Sequence, residues 1–178
     1  MAASPSGHPS ASDRIDNEIV EVPMLSTTPV ETMDAGDATF DAADRLAIIN
    51  LLGAYAYLYD QDHLDEHRGL FTESPELFLV QEDHTLSADM DTVASLAAAR
   101  KAAFNAENNR RRHAIDSVWF TSQTATEASG HCYVQVFAIR DGGPPTADLT
   151  ACYEFTAVKQ HGVWRFSRWV LGIDQSNT

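Results

Sequence analysis

The sequence is poor in basic residues: 12 lysines and arginines stand against 26 aspartates and glutamates, a formal net charge of −14 over 178 residues. This deficit predicts that the protein does not bind nucleic acid, whose phosphates are neutralised by lysine and arginine. The same acidity disfavours docking on a membrane of anionic lipid. Apolar runs of ~18–20 residues, the length of a membrane-spanning helix, are missing, and the first residues lack the basic and apolar regions of a secretory signal. We therefore expect a cytoplasmic protein without nucleic-acid or membrane partners.

Cysteine and cofactor motifs are scarce as well. Cys132 and Cys152 are too few for a disulfide framework, and we interpret them as small buried fillers. There is no Gly-x-Gly-x-x-Gly, P-loop, Gly-x-Ser-x-Gly or Cys-x-x-Cys motif, and we expect no cofactor. His63 and His67 match a His-x-x-Glu-His metal pattern, which needs a third ligand from elsewhere. We interpret this pair as a solvated helix face and expect no metal site.

Aromatic residues are missing from the first 37 residues, which hold four of the seven prolines. Seven acids and one base give this segment a net charge of −6. It cannot bury enough apolar surface to offset the entropy of ordering, so we predict that residues 1–37 form a disordered acidic tail. Residues 38–178 then form one domain, whose 19 acids and 11 bases give it a net charge of −8.

Helical patterns occupy the first part of this domain. Asp41 is a candidate N-cap for a helix that runs to about Tyr59. A shorter helix is predicted over residues 62–71, before Pro75. A third helix, rich in alanine, is predicted over residues 90–104.

Strand patterns dominate the rest of the domain. The predicted strands cover residues 76–81, 113–121, 130–140, 147–159 and 163–171. The first of them is followed by a polar loop that leads to the third helix, and the other four come after that helix. Helices followed by runs of strands indicate an α+β fold with an antiparallel sheet covered on one face by helices. A curved sheet of this kind forms a cone whose interior is a natural ligand pocket.

Two segments carry a family resemblance. Residues 54–65 (AYAYLYDQDHLD) end the first helix, and residues 111–115 (RRHAI) open the strand after the third helix. From about Asp41 to Ile173 the chain resembles the NTF2-like superfamily, and within it the SnoaL-like branch that includes polyketide cyclases and scytalone dehydratase. This resemblance implies an NTF2-like cone, in which a curved antiparallel sheet and three helices enclose a pocket. It also implies a homodimer, or another homo-oligomer, formed through the exposed face of the sheet.

The resemblance assigns three candidate catalytic residues. Asp60 and His113 match an aspartate and a histidine that point into the cone and hydrogen-bond to each other. A carboxylate on one imidazole nitrogen fixes the tautomer and makes the other nitrogen more basic, so His113 would move a proton beside a carbonyl. Tyr59 matches a tyrosine that helps to bind and polarise the substrate carbonyl through water. Tyr55 lies one turn earlier on the same helix face and is a candidate substrate-binding residue. Without the resemblance, the residues are also compatible with non-catalytic roles. Asp60 could cap a loop, His113 could lie in solvent, and the tyrosines could only pack in the core.

The chain also departs from the family's dehydratases. They carry a tyrosine on the first strand and a second histidine late in the long central strand, where this chain has residues 77–79 (LFL) and 137–139 (FAI). Aromatic residues on the long strands are candidate substrate contacts, although alternation leaves open which face lines the cone and aromatic residues often only fill a core. These candidates are Tyr133, Phe137, Tyr153 and Trp169.

The resemblance thus predicts a cofactor-independent lyase, isomerase or cyclase acting on a small carbonyl-containing, cyclic or polyketide-like metabolite of secondary metabolism. A ring-closing catalyst that works by shaping its substrate would need no acid–base pair. A non-catalytic binding or scaffold subunit is the alternative from another class. An open pocket holding a bonded Asp60 and His113 favours an enzyme, whereas a cone filled by Trp and Phe side chains favours a binding or structural role.

Overall fold

The structure, a computed structural model, describes residues 40–81 and 84–174. The predicted tail over residues 1–37 lies outside the described residues. In chain order the elements are α1 (Ala42–Asp60), α2 (Leu64–Arg68), β1 (Phe71–Gln81), β2 (His84–Ala88), α3 (Met90–Ala106), β3 (Asn109–Gln123), β4 (Glu127–Arg140), β5 (Thr146–Gln160) and β6 (Val163–Ile173).

The first and third helices begin at aspartate caps. The carboxylate of Asp41 accepts hydrogen bonds from the backbone N–H groups of Ala43 at 2.7 Å and Asp44 at 3.2 Å. Asp89 accepts from the backbone N–H of Thr92 at 2.7 Å. These bonds satisfy N–H groups that have no partner inside the helix, which explains why both helices begin where the sequence predicts. Across the described residues, none of the helices is both long enough and apolar enough to cross a membrane.

The six strands found among the described residues form one curved, unclosed sheet in the order β2-β1-β6-β5-β4-β3. Neighbouring strands are antiparallel except for β1 and β6, which are parallel. The predicted α+β cone is confirmed, with this one parallel pair as a difference from the expected all-antiparallel sheet.

The region between α2 and α3 also differs from expectation. Helix α2 is shorter than predicted, and β1 already begins at Phe71 and runs through Pro75. The pairing register of β1 with β6 shifts between Phe71 and Glu76, because proline has no N–H to donate to the neighbouring strand. The predicted polar loop contains the edge strand β2, which pairs with β1.

The helices cover one side of the sheet, which we call the inner face; the other side is the outer face. In β4 the side chains of Cys132, Val134 and Val136 are buried, while the alternating Tyr133 and Gln135 are exposed. Period-two alternation therefore assigns the first three to the inner face. Helix α1 packs onto this face through the buried residues Ile48, Leu51, Leu52 and Ala56.

The two cysteines lie on adjacent strands but on opposite faces. Cys132 is paired with Tyr153 in the ladder, whereas Cys152 is paired with Tyr133. Both are free thiols, and burial raises the pKa of Cys132 to about 12. Cys132 is the buried filler that the sequence predicts, while Cys152 is only half-buried.

Gly130 provides a test of how closely β3, β4 and the core approach one another. A Cβ at this position would lie 2.5 Å from the carbonyl oxygen of Trp119 and 2.7 Å from the ring of Phe155, whereas a Cβ at Gly53 on α1 would meet nothing within 4 Å. We expect Gly130→Ala to lower the free energy of unfolding by about 1–3 kcal/mol. Gly53→Ala, the control, should raise it by about 0.5–1 kcal/mol. Urea unfolding measures both, and a Gly130→Ala protein as stable as wild type would contradict this packing.

Candidate functional site

Asp60 and His113 meet where the end of α1 packs against β3. Nδ1 of His113 lies 2.7 Å from Oδ1 of Asp60, and the backbone N–H of His113 donates to Oδ2 at 2.8 Å. The two side chains are 5% and 13% exposed, respectively. Because a carboxylate oxygen accepts hydrogen bonds, we assign Nδ1 as the donor, and in the neutral imidazole Nε2 then keeps its lone pair. No protein group in residues 40–81 and 84–174 hydrogen-bonds to Nε2, so this nitrogen is available to a ligand.

Lys101 supports this helix end from α3. Its ammonium group is buried, with 6% of the residue exposed, and Nζ donates to the backbone carbonyl of Asp60 at 3.1 Å. A carboxylate at the C-terminal end of a helix faces the negative end of the helix dipole, and a nearby cation offsets that repulsion. The last turn of α1 contains no basic residue, so Lys101 supplies this cation from a neighbouring helix.

Tyr59 lies beside the Asp60–His113 pair. Its ring meets the His113 imidazole edge-on, with centroids 5.4 Å apart and planes at 85°. Nζ of Lys101 is 5.6 Å from the centroid of the Tyr59 ring. Burial raises the pKa of Tyr59, and the positive charges of Arg100 and Arg111 offset part of that effect. The hydroxyl is therefore protonated at neutral pH and is a hydrogen-bond donor.

Tyr55 lies deeper, in a group of rings that we call the aromatic cluster. Its ring stacks on Trp169, with centroids 4.3 Å apart, and meets Tyr153 edge-on at 5.8 Å. Burial raises the pKa of both Tyr55 and Tyr153, so both phenols are neutral. The full cluster consists of Tyr55, Phe71, Tyr153, Phe166 and Trp169.

The other two predicted substrate contacts lie on the outer face. Tyr133 is 60% exposed, and Phe137 shares its face because four residues separate the two along β4. The inner-face residue Val136 is the one paired with His113. Tyr133 and Phe137 therefore point away from Asp60 and His113, a correction to the sequence analysis, in which alternation alone could not select the face.

His67 lies beside Tyr55 and Tyr59, a position that the sequence analysis missed. The prediction of a solvated helix face holds for the exposed His63 but is wrong for His67, which is half-buried, with its ring centroid 4.5 Å from that of Tyr55 and 5.7 Å from that of Tyr59. Burial lowers the pKa of His67 to about 4, so the imidazole is neutral at pH 7. Its position three residues after Leu64 and four before Phe71 is the signal that could have predicted this burial.

The metal interpretation of this histidine pair finds no support in the described part of the chain. No group of three or more His, Cys, Asp or Glu side chains placed to hold a metal ion occurs among those residues. His67 contacts aromatic rings, and His63 lies 3.9 Å from a carboxylate oxygen of Glu66 on the surface.

A second buried cation, Arg111, lies two residues before His113 on the inner face of β3. Its Nη1 is 2.6 Å from Oδ2 of Asp148, and its guanidinium lies 4.6 Å from the ring centroid of Phe104. Together with Lys101, Arg111 makes the surroundings of Tyr59 less negative than the chain as a whole.

A groove of about 380 Å³ lies beside the aromatic cluster. Phe71 belongs to both: its ring centroid lies 6.2 Å from that of Tyr55, and its side chain also lines the groove. None of the predicted site residues lines this groove, which is formed by Asp65, Arg68, Gly69, Phe71, Thr72, Glu73 and Met90.

The SnoaL-like domain family matches residues 41–170, and the chain belongs to this family. The match extends from the N-cap of α1 into β6 and so includes Asp60, His113 and the aromatic cluster. No curated protein matches the sequence.

Solved structures show the same fold at low sequence identity. Aln2 from a Streptomyces species has a TM-score of 0.65 and 18% identity over 76% of this chain and 94% of its own. A candidate scytalone dehydratase from Novosphingobium aromaticivorans has a TM-score of 0.61 and 20% identity over 76% of this chain and 87% of its own. The β subunit of a candidate aromatic-ring-hydroxylating dioxygenase from the same organism has a TM-score of 0.59 and 21% identity over 75% of this chain and 90% of its own. At these identities the likeness establishes the fold alone.

The burial of His67 predicts a pH dependence of stability. As pH falls, the unfolded chain protonates this imidazole near its ordinary pKa of 6.5, whereas the folded protein does so only near 4. The free energy of unfolding is therefore at its full value above pH 6.5. As the pH falls from 6.5 toward 4, it decreases by up to about 3 kcal/mol. Urea unfolding at pH 7 and pH 4.5 should show a larger loss for wild type than for His67→Leu. His63→Leu is the control and should behave like wild type; identical losses for wild type and His67→Leu would contradict the assignment.

Proposed function

We propose that this chain is a cofactor-independent lyase, isomerase or cyclase that acts by general acid–base catalysis on a small carbonyl-containing metabolite, cyclic or polyketide-like, in secondary metabolism. The observation that carries the proposal is the double hydrogen bond between Asp60 and His113, which leaves Nε2 with a free lone pair. Membership of the SnoaL-like family supports a small-molecule isomerase or cyclase type of role. A cytoplasmic location is part of the proposal and is in keeping with two free cysteines.

In the proposed reaction Nε2 of His113 takes a proton from the carbon beside the substrate carbonyl, and the C–H electron pair moves into an enolate. Asp60 stabilises the imidazolium that forms, and Tyr59 donates a hydrogen bond to the enolate oxygen. Where a neighbouring C=C bond extends the enolate into a dienolate, return of the proton to the far carbon of that dienolate completes an isomerisation. Its delivery to a departing hydroxyl completes a dehydration. Attack of the enolate carbon on a second carbonyl, followed by protonation of the new alkoxide, closes a ring.

Proton abstraction is testable without the natural substrate. The probe is 2-tetralone, a bicyclic ketone whose α-protons exchange with D₂O through an enolate. We expect the wild-type protein to accelerate this exchange, and His113→Ala to reduce the rate at least ~10²-fold because it removes the base. Asp60→Asn should also lose rate, since an amide does not stabilise the imidazolium. Proton NMR of the probe measures the exchange.

The matched control for this experiment is His84→Ala. His84 is exposed on the edge strand β2, at the opposite end of the sheet from β3, so its removal should leave the exchange unchanged. A near-normal exchange rate in His113→Ala would contradict the assignment of His113 as general base and would favour a catalyst that works by shaping its substrate.

A non-catalytic binding or scaffold subunit is the second candidate function. The observation that favours it is the aromatic cluster, because rings such as Tyr55, Trp169 and Phe166 fill the middle of the cone. Likeness to a dioxygenase β subunit is in keeping with an assembly role. Saturable binding of 2-tetralone with no acceleration of exchange by the wild-type protein would favour this candidate.

We also propose that the chain forms a homodimer through the outer face of the sheet. Large aromatic side chains are exposed there: Trp119 is 38% exposed and Tyr133 is 60% exposed. His131 lies directly opposite Trp119 on the neighbouring strand and two residues before Tyr133, which lies opposite Asp116. Exposed aromatic residues of this kind are enriched at protein–protein interfaces.

The dimer proposal predicts the effect of a charge on this face. Wild type should elute at twice the chain mass of 19.5 kDa, whereas Tyr133→Lys should elute as a monomer, because the substitution buries a charge in the interface. Size-exclusion chromatography with light scattering measures the mass. Tyr57→Lys, at an exposed position on α1, is the control and should remain dimeric. A monomeric wild type, or a dimeric Tyr133→Lys, would contradict the proposal.

A further inference from the structure

The imidazole of His67 has a polar atom that nothing in the described part of the chain satisfies. Its Nε2 is buried and makes no hydrogen bond with residues 40–81 or 84–174. The surroundings are aromatic, with ring centroids of Tyr55 at 4.5 Å, Tyr59 at 5.7 Å and Phe71 at 5.9 Å. Native proteins leave few buried polar groups unpaired, so such a nitrogen requires an explanation. A leucine at this position would fill the space without this cost.

The ring of Tyr59 lies between His67 and the Asp60–His113 pair and contacts both imidazoles. The Tyr59 ring lies 5.4 Å from the His113 ring and 5.7 Å from the His67 ring. The two imidazoles differ in their surroundings: His113 has a carboxylate on Nδ1, whereas His67 lies among rings. Burial and the nearby His113 keep His67 neutral at pH 7, and its lowered pKa makes it a weak base. It is therefore suited to hydrogen-bonding a neutral oxygen and not to removing a proton.

We propose that His67 is a substrate-binding residue whose Nε2 hydrogen-bonds a second oxygen of the substrate, a hydroxyl or carbonyl, beyond the carbonyl that His113 serves. This inference rests on the proposed function, because it places the substrate ring beside Tyr59. It restricts the substrate class to ring compounds that carry at least two oxygens. A hydroxyl suits either tautomer of His67, since it both donates and accepts.

The test compares inert ring probes that differ in one oxygen. The probes are 1-naphthol, 2-naphthol and the dihydroxynaphthalene isomers, with affinity measured by calorimetry at pH 7. We expect at least one diol to bind wild type about tenfold more tightly than either naphthol, the equivalent of about 1.4 kcal/mol. His67→Leu should lose this preference while it still binds the naphthols. His63→Ala, on the exposed side of the same helix, is the control and should keep the preference.

Two further measurements separate binding from folding and from catalysis. At pH 7 His67→Leu should unfold at the same or a higher temperature than wild type, because an unpaired polar group is replaced by an apolar one. The ¹⁵N resonance of Nε2 of His67 should shift when the preferred diol is added. His113→Ala should keep the diol preference, so a failure of the proposed catalysis leaves this test intact. Equal affinities for diols and naphthols in wild type, or a preference that survives in His67→Leu, would overturn the proposal and leave His67 as a packing residue.

Discussion

The carboxylate of Asp60 joins the end of α1 to β3, and the rest of the site is arranged around this contact. One oxygen binds the backbone N–H of His113 and the other binds its imidazole, so the same group fixes the position of the strand and the orientation of the side chain. A buried carboxylate at a helix C-terminus is electrostatically unfavourable. The hydrogen bond from Lys101 to the Asp60 carbonyl places a buried cation beside it and connects α3 to the same point.

The inner face of the sheet divides into two parts with different physical character. Deep in the cone, Tyr55, Trp169 and Phe166 pack against one another as a hydrophobic core. Toward the end of α1, polar groups converge around Tyr59. This division reconciles two observations that point to different functions, since a filled centre and a bonded acid–base pair occur in the same cone. The chemistry that we propose belongs to the polar part, and the aromatic part gives it a rigid support.

Much of the fold was predictable because its signals are local. The Asp41 cap, the alternating strands and the turns between them depend on neighbouring residues, and these predictions agree with the structure. The contact of Asp60 with His113 joins residues far apart in the sequence, and only the family resemblance suggested it. Tyr133 was misplaced because alternation defines two equivalent faces without saying which one the helices cover. His67 was missed because the two histidines were interpreted as one solvated face, although Leu64, three residues earlier, lies on the same side of α2 as His67.

The position of β6 in the sheet has a consequence for how the chain folds during synthesis. This last strand lies between β1 and β5, so the hairpin of β1 with β2 and the meander of β3, β4 and β5 share no edge until β6 has been made. Phe71 then pairs with Phe166, 95 residues later in the chain. Pairing over such a sequence separation slows folding, because a long loop must close before the contact forms. On the ribosome the two parts of the sheet therefore stay unjoined until translation of the domain is nearly complete, and this is the interval in which the nascent chain is most exposed to aggregation.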